Sequence, residues 1–130
     1  MKFLTALKTE SIPGRDEWLL LEDLVYFSAT GRKFRVPKGN LTDFFSIPGV
    51  LRSFLFRARK YAEAAVMHDG GYRGVLEEEI LPGTWEKAIL TRKDIDELLE
   101  ECADSLGAPT SLQKALYWGV RIGGRWSFKG

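Results

Sequence analysis

Ala62–Tyr72, AEAAVMHDGGY, holds the one histidine of the chain and follows it directly with an aspartate inside a run of small, helix-forming residues. Ala65, His68, Asp69 and Tyr72 are spaced i, i+3, i+4 and i+7, so a helix here presents imidazole, carboxylate and phenol along one face. The alanines let a neighbouring helix come close. Asp96 lies in the next helical stretch, beside the apolar Ile95, Leu99 and Cys102, and is placed to meet that face. A carboxylate bonded to an imidazole fixes its tautomer and makes it a better general base, which nominates His68 and Asp96 as a catalytic pair with Tyr72 as an orienting hydroxyl. Asp69 and Asp43 supply oxygen ligands of the kind a hard cation such as calcium or magnesium takes. The same residues also suit a second role, a buried hydrogen-bonded network that fixes helix packing.

The elements that must position these groups divide near Ser53. Before it, short apolar and β-branched runs are broken by turn residues: Phe3–Leu7, then Trp18–Leu21, Val25–Phe27 and Lys33–Val36, with Ile12-Pro13-Gly14 and Gly31 between. This predicts three or four short antiparallel strands within residues 1–40. After it, residues 56–124 read as three helices. The first runs from about Phe56 to Gly70 and is ended by Gly70-Gly71. The second opens on a capping box, Thr91-Arg92-Lys93-Asp94, and ends at Gly107. The third starts near Thr110, with Gln113 as capping partner, and ends at Gly123-Gly124. Val75 to Lys87, with three consecutive glutamates and Pro82-Gly83, reads as a surface loop. Trp118 is assigned to the core. The expected fold class is therefore α+β in a single domain, residues 1–130, with a small N-terminal antiparallel sheet followed by a three-helix unit.

Composition narrows the function classes. With 130 residues and 45% hydrophobic content the chain suits one core. A net charge of +1 gives no strong nucleic-acid signal, although residues 1–60 hold 11 Lys/Arg against 6 Asp/Glu and residues 61–130 hold 8 against 12. One Cys and one His exclude an internal disulfide and a zinc site built from Cys and His. Cys102 reads as core. No apolar run reaches the roughly 20 residues a membrane span requires, and the first residues do not form a signal peptide. Arg52, Arg57, Arg59 and Lys60 flank Phe54, Leu55 and Phe56, a candidate binding patch for phosphate, lipid or an acidic protein surface. The linker from Val36 to Pro48 carries Thr42, Asp43 and Ser46, short polar groups that form turns or face a site.

Two resemblances rest on these residues. The order Val36-Pro37-x-Gly39, Thr42-Asp43-x-x-Ser46-Ile47-Pro48, His68-Asp69-x-x-Tyr72, Arg92-x-x-x-Asp96 and Val120-Arg121-x-Gly123 resembles the tailed-phage and prophage proteins grouped as domain-of-unknown-function family 1353. That resemblance implies a phage setting, in the host cytoplasm or the virion, with phage structural proteins or a host protein as partners. His-Asp-x-x-Tyr on one helix followed by an Asp on the next is similar to the catalytic helix pair of calcium-dependent phospholipases. It implies that His68 activates a water, Asp69 ligates calcium, Asp96 orients His68 and Tyr72 supports the network. No glycine-rich calcium loop precedes the motif. The expectations that stand are a phage accessory or virion-associated protein with a metal-assisted hydrolase-like site, a non-enzymatic interaction or structural protein, and an adaptor or inhibitor of a host protein.

Overall fold

The computed structural model describes residues 1–43, 60–124 and 128–129. Within residues 1–43 the chain makes six short strands: β1 (Lys2–Phe3), β2 (Thr9–Ser11), β3 (Trp18–Leu20), β4 (Leu24–Phe27), β5 (Lys33–Val36) and β6 (Leu41–Thr42). Helix α1 (Ala62–Tyr72) follows, then β7 (Glu77–Leu81), β8 (Thr84–Lys87), α2 (Arg92–Ser105) and α3 (Thr110–Gly123). The class is α+β as expected. The sheets are more elaborate than expected: a five-stranded antiparallel sheet ordered β1-β4-β5-β7-β8 and a three-stranded one ordered β2-β3-β6.

The stretch from Val75 to Lys87, expected as a loop, is mostly the β7–β8 hairpin, and its glutamates are the reason it joins the sheet. Across the antiparallel pairing of β5 with β7, Arg35 stands opposite Glu77 and Phe34 opposite Glu78. Arg32 grips Glu78 through two bonds of 2.8 and 2.6 Å, Arg35 donates to Glu77 at 2.7 Å, and Lys33 lies 3.2 Å from Glu79. The pairs are half-buried and partly screened by solvent, so the ladder sets register more than it sets stability. Arg35 also stacks over Trp85, 4.4 Å from the ring centre. Gly83, with φ at 79°, makes the hairpin turn.

Gly70-Gly71 does not end α1, which continues to Tyr72. Both glycines are buried contact points. A Cβ on Gly70 would sit 2.6 Å from Val36 Cγ2 on β5, and one on Gly71 would sit 2.6 Å from Ile95 Cγ2 on α2. Their missing side chains let α1 lie against the sheet on one side and α2 on the other. The expected start of this helix, at Phe56, falls outside the described residues. On α2 the capping box forms as read: Thr91 Oγ1 accepts from Asp94 N at 3.1 Å and Asp94 Oδ2 accepts from Thr91 N at 2.9 Å. On α3 the expected cap does not form. Pro109 is the N-cap, and the Gln113 amide instead donates to Asp104 Oδ1 and Ala108 O. The core gathers Leu20, Leu24, Tyr26, Phe34 and Val36 from the strands with Val66, Met67, Leu99, Cys102, Leu116 and Val120 from the helices. Trp118, expected in that core, is 59% exposed because it lies on the face of α3 turned away from Leu116 and Val120.

Replacing Gly70 or Gly71 by alanine sets a helix-propensity gain of about 1 kcal/mol against contacts that stiff β-branched neighbours cannot relieve. Each substitution is expected to destabilise by about 1–3 kcal/mol, read as a lower urea midpoint. An unchanged or higher midpoint at both positions would show that the helix seat has slack.

Candidate functional site

Asp96 sits in the first turns of α2 with its side chain fully buried, and donors from α1, α2 and α3 converge on it. His68 Nε2 lies 2.7 Å from Oδ1, and the Tyr72 hydroxyl donates to the same oxygen at 2.6 Å. Both come from α1, one turn apart. Arg121 of α3 donates to Oδ2 at 3.0 Å, and Arg92, four residues before Asp96, holds Nε 3.8 Å from that oxygen. Arg92 also donates from Nε to the Tyr72 hydroxyl at 3.1 Å and from Nη2 to the carbonyls of Val120 and Arg121 at 3.2 and 2.6 Å. It thereby caps the last turn of α3, sharing the Val120 carbonyl with Gly124 N and meeting the Arg121 carbonyl beside it.

Electrostatics follow from this packing. Burial pushes the Asp96 carboxyl up, but bonds from His68, Tyr72 and Arg121 outweigh it and hold the group below its ordinary range. Burial lowers the His68 imidazole despite the Asp96 carboxylate beside it, and Arg92 lowers it further. The ring is therefore neutral near pH 7. An ionised Asp96 can only accept, so Nε2 carries the proton and Nδ1 the lone pair. Burial and the Asp96 carboxylate raise the Tyr72 phenol, which stays protonated as a donor. The chain after α3 closes on Tyr72: Lys129 N donates to its carbonyl at 2.7 Å, Phe128 packs edge-on at 5.4 Å, and a Cβ on Gly124 would lie 2.8 Å from its hydroxyl.

Asp69 turns elsewhere, because neighbouring residues on a helix point about 100° apart. Its carboxylate meets Arg73, with Oδ2 3.1 Å from Nε, and Arg73 Nη2 pairs with Asp43 just beyond β6. Arg73 Nη1 also reaches Glu17 Oε2 at 3.4 Å. Burial, with Asp43 nearby, lifts the Asp69 carboxyl to about 6 against the opposing pull of Arg73. The structure thus brings His68, Tyr72 and Asp96 into one group and Asp43 and Asp69 into another, with α1 between them. Lys60 is exposed and lies 5.7 Å from the Tyr61 ring centre. Arg52, Arg57, Arg59 and Ser46 lie outside the described residues.

The donor chemistry around Asp69 suits a hard cation in part. Asp69 Oδ2 and Thr42 Oγ1 are buried oxygens with no aligned hydrogen-bond donor, and oxygen ligands are what calcium or magnesium takes. The space between Asp43 and Asp69, however, holds the Arg73 guanidinium, and the residues do not fit a divalent ion while it is there. Three arginines were not assigned to these carboxylates from the sequence. Arg73 and Arg92 carry a local signal, each four residues from its aspartate on one helix. Arg121 is 25 residues from Asp96 and carries none beyond its place in the motif order.

The chain belongs to the family described as "Protein of unknown function (DUF1353)", which matches residues 18–120. No curated protein and no solved structure matches it.

Asp96→Ala strands an imidazole, a phenol and a guanidinium in a buried site, and is expected to cost about 3–5 kcal/mol in denaturant unfolding. A loss under 1 kcal/mol would mean that the network contributes little to folding. The pH dependence has two opposed parts. Asp69 is raised in the folded state, so the native protein binds the extra proton and its contribution to stability falls as pH rises from about 4 to about 6. His68 is lowered, so the unfolded state binds the extra proton and stability rises as pH climbs toward the ordinary histidine value. Asp69→Asn removes the first part only. Its urea midpoint is expected to climb more steeply with pH between 4 and 6 than that of the native protein, and parallel curves would refute the raised Asp69 carboxyl.

Proposed function

We propose that this family member is a phage or prophage accessory protein that acts by binding a phage structural protein or a host protein, with the His68–Asp96 group serving as the lock that holds α1, α2 and α3 in register. The observation that carries this reading is burial: the side chains of His68 and Asp96 expose no surface at all. Asp96 is matched by a neutral imidazole, a phenol and two guanidinium groups, which is what a buried carboxylate needs in order to remain ionised. A general base must come within hydrogen-bond reach of the proton it takes, and a side chain without accessible surface does not present itself to a substrate. The phage setting is supported by the motif order running from Val36 to Gly123. No helix among the described residues is long and apolar enough to cross a membrane.

A second reading, hydrolysis with His68 as general base, is favoured by one detail of the geometry. Asp96 binds Nε2 and shares its Oδ1 with Tyr72, which leaves Nδ1 as the basic nitrogen of a neutral ring. This is the arrangement the resemblance to phospholipase helix pairs implies for a water-activating histidine. In that reading the side chains over His68 must move to admit water and an ester.

Phospholipid vesicles separate the two. The native protein is expected to release no fatty acid, with or without calcium, while Tyr72→Phe lowers its unfolding free energy by about 1 kcal/mol for the lost hydrogen bond. Fatty-acid release that drops by about 100-fold or more in a folded His68→Ala variant would overturn the binding reading and establish His68 as a general base.

A further inference from the structure

We infer that Arg73 is the resident cation of the Glu17, Asp43 and Asp69 cluster, so that the protein's own guanidinium stands where the His-Asp motif would lead one to expect a divalent metal. Each nitrogen of the guanidinium serves a different carboxylate: Nε faces Asp69 at 3.1 Å, Nη2 faces Asp43, and Nη1 faces Glu17 at 3.4 Å. A planar fork with fixed spacing suits such a triangle, and a point charge on a flexible stem does not. The three acids come from separate places, the chain just before β3, the chain just after β6, and α1. Arg73 is itself the C-cap of α1, where a cation also meets the helix's negative end.

Two further observations describe the pocket around that guanidinium. Asp69 and Thr42 are each 3% exposed, and Asp69 Oδ2 and Thr42 Oγ1 have no aligned donor. Among the described residues, the carboxylates of Glu17, Asp43 and Asp69 all face the Arg73 guanidinium. With Arg73 in place, an added ion would meet its full repulsion at close range. With Arg73 removed, the three carboxylates and the threonine hydroxyl become an oxygen-rich, negatively charged pocket of the kind hard cations fill.

The test uses the full chain and two probes, calcium by calorimetry and terbium by luminescence. Trp18 directly follows Glu17 and stands opposite Thr42 across the β3–β6 pairing, so it is placed to sensitise a terbium ion bound there. Native protein is expected to give neither heat nor sensitised emission at about millimolar ion, the weak end of protein calcium sites. Arg73→Gln is expected to gain both, and to lose them again in the Arg73→Gln/Asp69→Asn double variant. Arg73→Lys keeps a cation in place and is expected to stay silent. Calcium or terbium binding by the native protein that Asp69→Asn abolishes would overturn the inference, as would a folded Arg73→Gln variant that binds neither ion. If Arg73→Gln folds only when calcium is added, the ion has replaced the guanidinium and the inference holds. If calcium does not restore its fold, the inference fails.

Discussion

An ionised carboxylate cannot be left alone in a protein interior, and the arrangement of this molecule follows from how Asp96 is accompanied. The cost of desolvating such a group is several kcal/mol even after relaxation, so its partners must be close, numerous and correctly aimed. Two come from α1, one from its own helix and one from α3. Helix packing that apolar contacts alone would leave free to slide is thereby held to one register. Arg92 ties the arrangement together, since the side chain that approaches Asp96 and Tyr72 also caps α3.

That demand reaches the sheet through α1. For His68 and Tyr72 to reach Asp96, α1 must lie close to α2, and Gly71 removes the atoms that would hold it off Ile95. Gly70 does the same against Val36, so the helix is wedged between β5 and α2. The strand beyond α1 then pairs with β5 through opposed charges. Sheet and helices are thus joined at the segment that carries the polar residues, and Arg73, at the end of that segment, fastens the chain flanking β3 and β6 as well.

Features encoded within one helical turn were legible in the sequence. The capping box of α2, the i to i+4 placement of His68 and Tyr72, and the burial of Cys102 all depend on local spacing. Features that depend on a distant partner were not. Three glutamates in a row have poor strand propensity, and they form β7 only because β5 and the turn before it present Arg32, Lys33 and Arg35. A glycine pair reads as a helix stop until the neighbours that need its emptiness are known. The apolar spacing of α3 did not tell which face was covered, and Trp118 was placed on the wrong one. Asp69 was grouped with His68 because they are adjacent, although the turn of the helix sends them to opposite neighbours.

The route of the chain through the five-stranded sheet bears on how the molecule forms. Strands β5 and β7 are adjacent in the sheet, with Arg35 opposite Glu77, yet α1 and the residues around it intervene between them. The β7–β8 hairpin closes over a two-residue turn and can appear within microseconds, but joining it to β5 means closing a loop of more than 40 residues first. Once that loop is shut, α1 is already confined against the sheet, and docking α2 and α3 onto it assembles the Asp96 partners in one step. None of α1, α2 and α3 retains its polar contacts alone. Opening any one of them strands a charge, so the helical half should exchange its amide protons by whole-molecule unfolding rather than by local fraying.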